Sequence, residues 1–249
     1  MNCCTDGDLS GRRHTIGLPV PDNAILQALP SAERSRLLDR GREVALGQYE
    51  LLQAAGAPVS RVLFVRSGAV SLFSEPSEGR SIETGVVGRE GIVGGVSVLE
   101  GALNGSARSQ FAGTAWSVDA AAFRDALRTS PMLAKLTQRH LHFLLLQAQQ
   151  NAVCHAWHTV EERFCRRLLQ SCDALNSEVV NLTQGFTAQI LGVQRTTVSM
   201  VANALERDGG IRTLRGKITL VDRAKIESAA CTCYTAFKRQ LKSALELAA

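Results

Sequence analysis

The spacing of apolar and polar positions changes character three times along the chain. From Asn23 to Leu38 apolar residues recur at helical spacing, interrupted by Pro30, with Ser31 placed to cap a second short helix. From Glu43 the texture becomes short apolar runs, Val62–Val65 and Val70–Phe73 among them, divided by turns at Gly56, Pro58, Gly68, Gly79, Gly91, Gly94 and Gly105. Strands punctuated this closely predict an antiparallel, jelly-roll-like β-barrel ending near Val118. Helical spacing then returns. Asp119–Leu127 reads as a short helix, Thr129-Ser130-Pro131 as the start of another, and no further Pro or Gly occurs before Trp157. Such a helix would be about 40 Å long at 1.5 Å per residue. Its Leu133, Leu136, Leu141, Leu144, Leu145, Leu146, Ala148 and Ala152 cover more than one stripe. One side is therefore expected on the barrel and the other on a twin helix, with Leu133, Leu136, His140, Phe143, Leu144 and Gln147 as the dimerisation set.

The last third carries a different signature. Thr159–Leu175 predicts an amphipathic helix with Val160, Phe164, Leu168 and Leu169 inward, and with Glu161-Glu162 and Arg166-Arg167 forming ion pairs on a solvated face. Leu182–Glu206 predicts two short helices that cross at Ala188 and turn at Gly192, which can take the left-handed conformation such a turn needs. In the second of them Val198, Val201, Ala202 and Leu205 share the core face, leaving Arg195, Thr196, Ser199, Met200 and Asn203 outside. A helix that only packs has no use for that arginine, so this face is the expected contact with DNA. Ile211–Val221 reads as two strands turning at Arg215-Gly216, the wing of a winged helix. Asp222 caps a last helix from Arg223 to about Leu247. The fold class expected is α+β. A flexible tail spans 1–22, a sensor β-roll with flanking helices 23–129, a dimerisation helix 130–158, a winged helix-turn-helix 159–226 and a C-terminal helix 227–249.

Composition sharpens this in places. The 249 residues are 45% hydrophobic and 20% charged, as in a folded globular chain, and the net charge of +5 suits a polyanionic partner. Between Leu182 and Lys217 five basic residues (Arg195, Arg207, Arg212, Arg215, Lys217) face two acidic ones (Glu206, Asp208). The start, MNCCTDGDLSGRRH, has no apolar core, and no run approaches a membrane span, so a cytoplasmic location without membrane contact is expected. Seven scattered cysteines fit a reducing compartment better than a disulfide framework.

The order of parts, barrel, long helix and winged helix-turn-helix, resembles the Crp/Fnr family of bacterial transcription regulators from about Ala24 to Val221. The barrel phrases Leu52-Gln53-Ala54-Ala55-Gly56, Leu63-Phe64-Val65-Arg66-Ser67-Gly68-Ala69-Val70 and Gly88-Arg89-Glu90-Gly91-Ile92-Val93-Gly94 carry the likeness, with Leu191-Gly192-Val193-Gln194-Arg195-Thr196-Thr197-Val198 in the helix-turn-helix. The resemblance implies double-stranded DNA, a second copy of the chain and RNA polymerase as partners. It puts Arg195 at the recognition-helix arginine that reads guanine. Thr196 and Met200 stand where a well-known member has an acidic residue and a second arginine, so the operator differs. Thr183, Thr197 and Ser199 become phosphate contacts, joined by Arg212, Arg215 and Lys217 of the wing. Members that bind cyclic AMP carry a Gly-Glu-Leu phrase, an Arg-Ser pair and a Thr-Ser pair on the long helix. Here Gly94-Gly95-Val96 lacks the carboxylate and Gln147-Ala148 replaces Thr-Ser. Arg108-Ser109 is out of register, a stray arginine on a solvated strand. The effector is therefore unknown and expected not to be cyclic AMP. The Fnr branch holds an iron–sulfur cluster on several N-terminal cysteines and one in the barrel. This tail has only the adjacent Cys3 and Cys4 and the barrel none, so no cofactor is expected.

Two other readings stay open. In a redox-responsive regulator, Cys154 with Cys231 and Cys233 would sense oxidant, although the last two cannot face one way within a helix. Cys165 and Cys172 share a face and read as inert core. His155 and His158 have metal-ligand spacing, but no third ligand is evident, so no metal is expected. An enzyme with a cupin-like metal site is the other class; from Glu43 to Val118 there is no histidine to build one.

Overall fold

A computed structural model of the chain describes residues 22–75, 81–95 and 105–246. The expected tail, apart from Asp22, lies outside the described residues, as do Cys3, Cys4, Gly79, Val96 and Leu247. Two four-stranded antiparallel sheets form the N-terminal roll. One has the order β1 (Gly41–Leu46), β8 (Gly113–Asp119), β3 (Arg61–Val65), β6 (Ile92–Val93); the other β2 (Leu51–Gln53), β7 (Gly105–Phe111), β4 (Ala69–Ser74), β5 (Ile82–Val87). The apolar run in β3 is continuous because both faces of its sheet are covered. Leu63 and Val65 point into the roll with Leu46, Val70 and Val87. Val62 and Phe64 point outward, under Leu26, Phe123, Leu133 and Leu136 of the flanking helices.

Those helices are α1 (Ala24–Ala28), α2 (Ser31–Leu38), α3 (Ala120–Thr129) and the start of α4 (Pro131–Trp157). Asn23 caps α1 by accepting from the Leu26 amide, and its buried Nδ2 donates to the carbonyls of Val65 (2.9 Å) and Gly91 (2.8 Å). Ser31 does not cap α2: it is the first helical residue, and Pro30 holds the cap position without a side-chain bond. Ser130 caps the 27-residue α4 at the Leu133 amide, with Pro131 in its first turn.

The dimerisation set expected on α4 needs correction. Leu133, Leu136, His140, Phe143 and Gln147 are buried within the chain, and Leu144 packs at the edge of the roll's core. The Gln147 carboxamide accepts from the Val86 amide and donates to the Val86 carbonyl, both at 3.0 Å, and Asn151 donates to the Thr84 carbonyl. This stripe is occupied because β5 brings unpaired backbone groups against it. The opposite stripe, Lys135, Gln138, His142, Leu145, Gln149, Ala152 and Ala156, is exposed and alternates steps of three and four.

Beyond α4, Thr159 and Glu162 form a reciprocal capping box at the start of α5 (Val160–Leu175). Arg166 and Arg167 are buried and do not lie on a solvated face. Arg167 pairs with Glu83 of β5 at 2.8 Å, and Arg166 donates to Asn151 at 2.9 Å. The three-stranded sheet β10 (Ile211–Leu214), β11 (Lys217–Leu220), β9 (Val179–Asn181) completes the C-terminal module. β9 rests on only two apolar residues and has no clear periodicity. The single last helix expected after Asp222 is two, α8 (Arg223–Ala229) and α9 (Cys233–Glu246), because Ala230 adopts extended backbone (φ −78°, ψ 144°).

Candidate nucleic-acid interface

α6 (Gln184–Leu191) and α7 (Arg195–Arg207) form the helix-turn-helix. Thr183 caps α6 by accepting from the Phe186 amide. Gly192 ends it in the left-handed region (φ 63°, ψ 38°), and its amide closes the turn on the Ala188 and Gln189 carbonyls. A β-carbon there would also approach Ile82 Cδ1 to 2.9 Å. Val198, Ala202 and Leu205 anchor α7 in the core that Phe164, Leu168 and Leu169 of α5 build. The helix is therefore rolled with Arg195, Thr196, Met200 and Asn203 in solvent, Met200 being 71% exposed.

The wing completes the surface. β10 and β11 pair from Ile211↔Leu220 to Leu214↔Lys217 and turn through Arg215 (φ 46°) and Gly216 (φ 80°), both left-handed, which matches the twist of a two-residue hairpin. Arg212, Arg215 and Lys217 are exposed. Glu206, at the end of α7, accepts from the amide and hydroxyl of Thr213, which holds its carboxyl below the usual range and fastens the wing to the recognition helix. Between wing and helices lies an open cleft of about 570 Å³ lined by Thr183, Gln184, Arg195, Arg215 and Lys217. Three cations thus converge on a groove flanked by a helix that can enter a major groove.

Two expected contacts sit differently. Ser199 is half-buried and its hydroxyl, a single donor, is engaged by Gln184 Oε1 (2.8 Å) or the Arg195 carbonyl (3.1 Å), so it has no proton for a phosphate. Thr197 is half-buried at the start of α7. Thr183 is exposed; its hydroxyl oxygen serves the cap, and its amide donates to Tyr49 Oη at 3.0 Å. Tyr49 is the participant sequence reasoning missed. From a turn of the roll, at φ 62°, it donates to the Asn181 carbonyl and stacks on Phe186 with ring centroids 4.6 Å apart. Nothing in Gly47-Gln48-Tyr49-Glu50 signals this role beyond a turn between strands.

In the roll, Gly94 (φ 86°) and Gly95 offer no side-chain carboxylate, and Gln147 is committed to Val86. Arg108 lies half-buried on β7 opposite Leu51 and Ser71, so it is not on a solvated strand; Ser109 is buried and donates to the Phe111 carbonyl. Cys165 and Cys172 are buried, and desolvation pushes both thiols up to about 12, in keeping with inert core. Among the described residues, no helix is long and apolar enough to cross a membrane.

Two family models match the chain: a cyclic nucleotide-binding domain over residues 43–130 and a Crp-like helix-turn-helix domain over residues 162–229. None of the curated proteins matches it. Among solved structures it is similar to a transcriptional regulator of the Crp/Fnr family from Eubacterium rectale (16% identity, 81% of this chain and 94% of that one, TM-score 0.69). It is also similar to the c-di-GMP responsive global regulator CLP of Xanthomonas campestris (17%, 78% and 100%, TM-score 0.66). FixK2 of Bradyrhizobium japonicum gives 19% identity over 77% of this chain and 98% of that one, with a TM-score of 0.65. At these identities the likeness to the solved structures is one of fold. The two domain models, in this order and together spanning well over half of the sequence, make the chain a member of the Crp/Fnr family of DNA-binding transcription regulators.

Proposed function

We propose that the chain binds a near-palindromic operator as a homodimer in the cytoplasm. Arg195 donates to guanine O6 and N7. Thr196, Met200 and Asn203 face neighbouring bases, and Thr183, Arg212, Arg215 and Lys217 hold phosphates. The observation that carries this reading is the cleft where Arg195, Arg215 and Lys217 converge beside the exposed face of the recognition helix. Two such faces, one per subunit, would enter successive major grooves about 34 Å apart. The pairing surface is the exposed stripe Gln138, His142, Leu145, Gln149, Ala152 and Ala156. RNA polymerase is the further partner the family resemblance implies. The effector is not cyclic AMP: the pocket side of α4 presents Gln147, already tied at both ends to Val86.

Selection of bound fragments from random DNA, followed by binding isotherms on the selected site, tests this. Arg195→Ala is expected to lose about 1–3 kcal/mol of affinity, roughly 5- to 150-fold, and to relax one base pair per half-site. Unchanged affinity and base preference in that variant refute the assignment.

A further inference from the structure

Where the long helix ends, four potential metal ligands that the sequence scatters over 80 positions come together. Cys154 and His158 are four apart on the last turn of α4 and share a face, His158 being the residue that ends the helix. Cys231 and Cys233 arrive from the other end of the chain. They converge because Cys231 lies in the break between α8 and α9 while Cys233 is the first residue of α9, so the helical geometry that would part them does not apply. Cys154 Sγ lies 3.6 Å from Cys231 Sγ, Cys233 Sγ lies 3.5 Å from His158 Nδ1, and all four donor atoms fall within 4.8 Å of one another.

We propose that Cys154, His158, Cys231 and Cys233 form a closed tetrahedral site for one zinc ion. With Zn–S near 2.3 Å and Zn–N near 2.0 Å, a tetrahedron has edges of about 3.8 Å between sulfurs and about 3.5 Å between sulfur and nitrogen. The Cys154–Cys231 and Cys233–His158 separations, 3.6 and 3.5 Å, lie close to those edges, and the remaining donor atoms, all within 4.8 Å, need only a small closure around the ion. The Cys154–Cys231 separation is far beyond the roughly 2.05 Å of a disulfide. Three soft sulfurs and one imidazole select zinc over calcium or magnesium, and four protein donors leave no open position, which makes the site structural. A multinuclear iron–sulfur cluster sets its ligands farther apart than this group allows. The surroundings are those of a built site. All three cysteines are buried, Gln150 Nε2 donates to Cys233 Sγ at 3.0 Å, and buried Arg166 adds positive charge beside Cys154. Three thiols give up their protons to solvent as the dication enters, leaving a net charge of −1 that the amide and guanidinium offset. His155 stays outside, against Arg163. The ion would clasp the start of α9 to the α4–α5 junction, where the long helix meets the DNA-binding module.

The test is a cobalt(II) titration of the full-length protein, stripped of metal by chelation and kept under reductant, followed by displacement with zinc. One equivalent is expected to give the intense visible bands of tetrahedral cobalt–thiolate, to be displaced by one equivalent of zinc, and to raise Tm. Cys231→Ser should weaken uptake at least tenfold and lower the intensity of the sulfur-to-cobalt charge-transfer band per bound ion. If that variant does not fold, His158→Ala, at a half-buried position, should weaken uptake in the same way. Replacing Cys3 and Cys4 together by serine should leave the titration unchanged. The proposal is overturned by reduced wild-type protein that shows no tetrahedral band, or by uptake that disappears with Cys3 and Cys4 but survives in Cys231→Ser and His158→Ala. A quantitative Cys154–Cys231 disulfide that takes up no metal after reduction also overturns it.

Discussion

His140 is buried on the inner stripe of α4, with Nε2 2.9 Å from the Ile92 carbonyl. The Ile92 amide also lies 3.3 Å from the same Nε2, so the Ile92 backbone brackets one ring nitrogen, while the buried Nδ1 has no hydrogen-bond partner among the described residues. Desolvation pulls its pKa down to about 4, against about 6.5 in an unfolded chain. Between those values the unfolded state binds a proton that the folded state refuses. Stability present above pH 6.5 is therefore lost as pH falls towards 4, on the order of 3 kcal/mol for this group. Urea denaturation at pH 7.5 and pH 5 should show a smaller drop for His140→Gln than for wild type. His155, also lowered to about 4 by desolvation and then by Arg163, keeps part of the slope. An equal drop in both proteins would mean that His140 is charged in the fold. At this scale legibility was uneven. Gly192 and Arg195 could be read because each is chemically odd for its place: one needs a conformation only glycine takes cheaply, the other is a cation where packing asks for none. Tyr49 could not, because its side-chain partners are more than 130 residues away and no local pattern encodes distance in space; Cys154, Cys231 and Cys233 could be grouped as candidate sensor thiols, but not His158 as their fourth member.

The long helix shows the same limit at the scale of an element. Its bounds, cap and length followed from Ser130-Pro131 and an unbroken helical run. Periodicity also revealed two stripes, but two stripes on one cylinder look alike until the roll is folded. The polar residues of the inner one, His140, Gln147 and Asn151, satisfy strand backbone that the sequence does not advertise. Leu145 lies on the outer stripe and is 54% exposed, flanked by His142 and Gln149 at heptad spacing. On the pairing surface proposed above, a carboxylate there would be buried against its own symmetry mate. If the proposed pairing holds, wild type should sediment as a dimer at micromolar concentration and Leu145→Asp as a monomer, with an unchanged far-UV spectrum and half-site DNA binding only. A dimeric Leu145→Asp would place the interface elsewhere.

The roll and the winged helix share one core, and this decides how the whole molecule responds to damage. Ala69, Phe73 and Phe111 of the roll are packed in the same cluster as Phe164, Leu168, Phe186 and Leu191 of the DNA-binding module. Across that boundary Arg167 donates to Glu83 at 2.8 Å and to Gln110, while Gln110 donates to Ser171; within α5 Arg167 also donates to Gln170. Both charges are almost fully buried, and desolvation pushes Glu83 up while Arg167 opposes it. A sequence reading places these residues on separate domains joined by a linker helix, a picture in which each would unfold alone. With a shared core and a buried ion pair across the boundary, the expectation is a single calorimetric transition. Removing one partner leaves the other charge buried and uncompensated, at about 3–5 kcal/mol. Arg167→Ala should therefore lower Tm and split the transition in two. The double variant Arg167→Met with Glu83→Leu, which replaces both charges with apolar groups, should recover much of that loss and restore a single peak. Two transitions already in wild type would mean that the two modules are energetically separate and that the recognition helix is not held by the roll.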